Sequence, residues 1–140
     1  MAVQLSPYLT FDGNAREAVE FYASVFGVTP DLSTYDSVGP VDDPAQAKKI
    51  MHSQLALEGV GTLMASDTVP GMAPATSSSV ALFGGPGDRA RLESWFTALS
   101  DGAADVVPIE NAPWGDAFGM LTDRFGTVWM VNVAGADATS

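Results

Sequence analysis

The chain has no cysteine and a single histidine, His52, in 140 residues. The first absence excludes a disulfide framework, a thiolate nucleophile and any cysteine-based zinc site. Basic residues are equally scarce. Six Lys+Arg stand against seventeen Asp+Glu, for a formal charge of −11. Such a surface repels phosphate backbones and anionic lipid heads, which excludes nucleic-acid and membrane-surface partners from the expected functions. No apolar run reaches the roughly 18–20 residues of a membrane span. The opening MAVQLSPYLT has no basic segment leading into an apolar stretch, so a cytoplasmic location is expected. What is present is an apolar share of 46% with only 16% charged residues, enough to bury a core in one domain.

Two helices stand out. In the segment from Asn14 to Gly27, apolar residues fall at Ala18, Phe21, Tyr22, Val25 and Phe26, the spacing of one helix face. Asn14 with Glu17 resembles a capping box, and Gly27 can take the left-handed C′ conformation. From Asp88 to Ser100, Leu92, Trp95, Phe96 and Leu99 repeat the spacing, with Asp88 as candidate N-cap and Gly102 beyond the end. Each helix follows a strand-like run, Leu5–Phe11 or Ser78–Phe83. Further runs come after each: Ile50–Leu57 and Gly61–Ser66, then Val106–Ile109, Ala117–Thr122 and Thr127–Val133. The repeated order predicts an internal duplication, module one over about 4–66 and module two over about 78–133. The Pro/Gly/Thr-rich stretch 67–77 reads as a linker, and Asp31 to Ala47 as an irregular, mobile surface loop. Strands with one helix per half point to an α+β fold, helices covering one face of antiparallel sheets.

Alternation along the strands assigns faces. In Ile50–Leu57 the series Met51, Ser53, Leu55 and Leu57 should lie under a helix, and His52 and Gln54 on the other face. In Thr127–Val133 the bulky series Trp129, Val131 and Val133 should be covered, leaving Met130 and Asn132 opposite. By the same pattern Met64 joins the uncovered set. His52, the only imidazole, is the candidate general base or ligand hydrogen-bond donor. Glu58 lies about 20 Å further along an extended strand, so any partner of His52 comes from another strand. Trp114, in NAPWGDAFG, reads as a pocket-edge aromatic, with Phe118 sharing that role. Asp123-Arg124-Phe125-Gly126 reads as a tight turn, and the Gly84 to Asp88 run as a bulge and turn into the second helix, since it lacks the Lys-Ser/Thr of a phosphate loop.

The strings YLTFDGNAREAVEFYASVFG, MHSQL, LMASD and NAPWGDAFGMLTDRFGTVWMVNV resemble the PhnB-like branch of the vicinal oxygen chelate superfamily, which includes glyoxalase I, bleomycin-resistance proteins and extradiol dioxygenases. The resemblance runs from Pro7 to about Val133. It implies two tandem βαβββ modules whose sheets curl around a cavity, helices outside, in a homodimer. Catalytic members of the superfamily hold a divalent metal with about four His/Glu/Gln side chains. Matching the motifs puts Pro7, Met64, Ser79 and Met130 at those positions. Proline offers no side-chain donor, a serine hydroxyl is weak, and a thioether suits Cu(I). No metal and no other cofactor are therefore expected. The expected ligand-binding set is His52, Gln54, Met64, Ser79, Trp114, Phe118 and Met130, with His52 the catalytic candidate. The function expected first is metal-free binding of a small organic molecule, for sequestration or transport. A glyoxalase- or dioxygenase-type enzyme using His52 or a displaced metal comes second, and an interaction homodimer with a vestigial pocket third. Sequences of this branch also carry methyltransferase names relating to ubiquinone. This chain has no glycine-rich loop with an acidic ribose partner to hold S-adenosylmethionine.

Overall fold

The structure is a computed structural model and describes residues 3–71, 74–75 and 77–135. Within the expected linker, residues 72, 73 and 76 lie outside the described residues. The chain divides into two compact units, Met1–Ser77 and Ser78–Ser140.

The first unit runs β1 (Tyr8–Phe11), α1 (Ala15–Phe26), β2 (Asp31–Thr34), α2 (Pro44–Ala47), β3 (Ile50–Leu57) and β4 (Gly61–Asp67). The second runs β5 (Ser79–Gly84), α3 (Arg89–Leu99), β6 (Ala104–Asn111), β7 (Ala117–Thr122) and β8 (Val128–Val133). The sheet orders are β1-β4-β3-β2 and β5-β8-β7-β6, the same βαβββ topology twice. Two of the three pairings in each sheet are antiparallel, as expected. The third is parallel, β1 with β4 and β5 with β8, so each sheet is mixed.

One face of each sheet carries the helix, because that is where the alternating apolar residues fall. In the first unit Leu9, Phe11, Leu55, Leu63 and Ala65 are buried with Ala18, Val19 and Tyr22 of α1. Ser53 interrupts that series and is also fully buried, its hydroxyl donating to the Ala65 carbonyl at 2.7 Å. In the second unit Val80, Leu82, Leu121, Trp129, Val131 and Val133 are buried, as are Leu92, Trp95, Phe96 and Leu99 of α3. The face assignment for Trp129, Val131 and Val133 matches this core.

Four local expectations change. The stretch from Asp31 to Ala47 is ordered: β2 pairs with β3, a 3-10 turn covers Tyr35–Ser37, and α2 starts at Pro44 under an Asp43 cap that accepts from the Ala45 N–H at 3.0 Å. Asn14 does not cap α1 with its side chain. The Asp67 carboxylate does so from across the unit. Its Oδ1 accepts from the Gly13 and Ala15 N–H groups and its Oδ2 from the Ile50 N–H, all at 2.9 Å. Asp67 is thus the buried end of β4 and not the start of a linker. Likewise Asp88 does not cap α3; its carboxylate accepts from the Gly85 N–H at 2.9 Å and closes the preceding 3-10 turn. Gly27 does end α1 at φ +70. Gly126 takes φ +89 in the turn before β8.

Candidate functional site

The open face of the first sheet follows directly from register. Tyr8 pairs with Met64, Met64 with Gln54 and Gln54 with Asp31, one row across all four strands. Beside it Thr10 pairs with Ser66, and Ser33 with His52. Three expected residues, His52, Gln54 and Met64, are thereby brought together, all partly exposed. Tyr8 was missing from the expected set. Its phenol lies 3.5 Å from His52 Nδ1, the outer limit of a hydrogen bond, with the rings tilted 35° and centroids 6.1 Å apart. The alternation of Tyr8 and Thr10 with buried Leu9 and Phe11 was the available signal.

As expected of any partner, Tyr8 reaches His52 from another strand, and it is a phenol where a triad would use a carboxylate. The Tyr8 hydroxyl can donate to Nδ1, which leaves Nε2 carrying the proton in the neutral ring. Among the described residues Nε2 has no protein partner, so it is available to donate to a ligand. A second phenol stands near this end of the sheet. Tyr35 donates to the Asp67 carbonyl at 2.8 Å, and burial, then the Asp67 carboxylate, then Tyr8 push its ionisation above the ordinary value of 10.0.

The second sheet's open face is built the same way but differs chemically. Ser79 pairs with Val128; Ala81 with Met130 and Met130 with Met120; Phe83 with Asn132 and Asn132 with Phe118. Expected residues Ser79, Met130 and Phe118 share this face, and Phe83, 81% exposed, joins them without having been anticipated. Trp114 lies apart from the strands, in the β6–β7 turn, 74% exposed. Arg124 points to the surface, where it binds the Asp101 carbonyl and carboxylate.

The four positions that the resemblance assigns to metal ligands do not fit one. The Pro7 carbonyl already accepts from the Met64 N–H. Met64 and Met130 offer thioethers, and Ser79 a hydroxyl. Among the described residues no group of three or more His, Asp or Glu side chains is placed to hold an ion.

Two βαβββ units of this topology constitute the vicinal oxygen chelate fold, and a glyoxalase/bleomycin resistance protein/dioxygenase from Nocardioides shares it at a TM-score of 0.61 and 14% identity, over 99% of this chain and 87% of that one. Protein PA1353 from Pseudomonas aeruginosa is nearer in sequence, 35% identical with a TM-score of 0.77 over 95% of this chain and 98% of that one. The PhnB protein from Bacillus cereus is 26% identical, TM-score 0.65, over 94% and 100%. A family model described as 3-demethylubiquinone-9 3-methyltransferase matches residues 3–132, and the chain belongs to that family, the PhnB-like branch of the fold.

Proposed function

We propose that this protein binds a small organic molecule without a divalent metal, using the open face of its first sheet. The observation that carries the reading is the Tyr8–His52 contact: with the phenol donating to Nδ1, Nε2 is left for a ligand, and Gln54 lies in the adjoining row. Met64 adds an adaptable apolar patch on that face. In the second unit, taken by itself, Ser79, Phe118, Met130 and the exposed Trp114 are proposed as a separate set of ligand contacts. Sequestration or transport in the cytoplasm, by a homodimer, is part of the same proposal.

The family description names a methyltransferase, but the backbone argues for binding. S-adenosylmethionine is a net cation whose one carboxylate would look for free N–H groups at a strand-to-helix turn. Here those of Gly13 and Ala15 are taken by Asp67, and that of Gly85 by Asp88. A second reading, proton transfer by His52 on a bound substrate, is favoured by the same phenol–imidazole pair.

A thermal-shift screen of small aromatic and apolar compounds tests the proposal. A ligand at 100 times its Kd stabilises the fold by about 2.7 kcal/mol. His52→Ala should weaken the best ligand at least tenfold and Tyr8→Phe less. Affinity unchanged in His52→Ala would overturn the assignment of this face. Turnover of the ligand that His52→Ala abolishes would establish the second reading.

A further inference from the structure

A second cleft lies at the end of the first unit where β1 and β4 finish and β3 begins. It encloses about 370 Å³ and is lined by Asp12, Gln46, Lys49, Thr68, Pro70 and Pro74, among others. That volume is at the lower end of small-ligand sites. Two opposite charges line it, yet among the described residues neither Asp12 nor Lys49 makes an ion pair with the protein. The Gln46 side-chain oxygen is shielded from solvent and accepts no hydrogen bond. A buried acceptor left unsatisfied is costly, so such an atom points to a missing donor.

The walls are built and held. The Asp67 carboxylate ties the Gly13–Ala15 turn to the first residue of β3, so the segments carrying Asp12 and Lys49 are fixed to the segment carrying Thr68. The Lys49 stem runs beside the turn at Gly13, where a Cβ would stand in ordinary contact, 3.8 Å, with the Lys49 ε-carbon. Thr68 donates only weakly, to the Phe11 carbonyl at 3.4 Å. Its hydroxyl oxygen keeps its acceptor capacity.

From the juxtaposition of an unpaired ammonium, an unpaired carboxylate and an orphaned amide oxygen in one cleft, we infer that it binds a small zwitterion of the α-amino-acid class. The ligand carboxylate sits on Lys49 Nζ, and its ammonium is shared by the Asp12 carboxylate and Gln46 Oε1. A molecule with only one of the two charges satisfies half the site and leaves the other half without a partner.

The test is a titration of the ¹⁵N-labelled full chain with each L-amino acid singly, followed through the amide resonances. n-Butyrate and n-propylamine serve as single-charge controls. At least one amino acid should shift residues 12, 46, 49 and 68 saturably in the millimolar range or below, and both controls should bind at least tenfold more weakly. Lys49→Met and Asp12→Asn should each weaken it at least tenfold, while Arg16→Gln, on the exposed face of α1, leaves it unchanged. Absence of a saturable shift with every amino acid, a control binding as tightly as its zwitterion, or full affinity in both variants would overturn the inference. Amide resonance patterns of the unliganded variants separate loss of binding from loss of fold.

Discussion

Asp67 shows how much one side chain can organise. Its carboxylate satisfies three backbone donors from two segments distant in sequence, while its own backbone carbonyl receives the Tyr35 phenol. Asp67→Ala leaves those three N–H groups, two of them buried, without the carboxylate and should cost at least about 2 kcal/mol, read from the urea midpoint. Asp67→Asn keeps one acceptor oxygen and should lose roughly half of that. An alanine variant as stable as the parent would show that water replaces the carboxylate. Tyr35 carries a pH prediction. Because its folded ionisation lies above 10.0, its contribution is fully present below pH 10.0 and is lost as pH rises through the higher folded value. Tyr35→Phe should therefore flatten the alkaline fall in melting temperature. Neither role was readable from the chain. A charged residue beside Thr68, Pro70 and Gly71 looks like the edge of a linker until the distant amides are brought to it. Tyr8 was similarly hidden, because its partner lies two strands away across β4.

At the scale of elements, the helices were legible because a 3.6-residue apolar period needs no tertiary information. The end of α1 at Gly27 was legible for the same local reason. β2 and α2 were not. β2 is Asp-Leu-Ser-Thr, with one apolar residue, and α2 is four residues long. Their order comes from pairing with β3 and from the Asp43 cap, not from their own pattern. β6 was read short, as Val106–Ile109, because Pro108 and the left-handed Asp105 at φ 52 break its alternation; two register shifts against β7 absorb both. Its approach to β7 depends on Gly119. A Cβ there would stand 2.6 Å from Ile109 Cγ1 and 3.0 Å from the Ile109 nitrogen. Gly119→Ala should thus push β6 outward at a cost of about 1–3 kcal/mol, with faster amide exchange in residues 107–111. Unaltered exchange in β6 would show that the strand gives way without unpairing.

For the whole molecule, the repeated βαβββ order was visible in the chain, because each unit begins with a strand followed by a helix of clear apolar period. The two open sheet faces differ in a way that composition hides: Tyr8, His52, Gln54 and Ser33 give the first its hydrogen-bonding character, whereas Phe83, Phe118, Met120 and Met130 make the second largely apolar. Pro7, Met64, Ser79 and Met130 do not supply the donors a divalent ion needs, so in the proposed reading a ligand held by either face should remain when divalent ions are removed. Native mass spectrometry of the full chain, loaded with its best small-molecule ligand and then treated with a strong chelator, measures this directly. Retention of the organic adduct with no stoichiometric metal is the expected spectrum. A divalent ion at one per chain, with the ligand released together with it, would contradict the account.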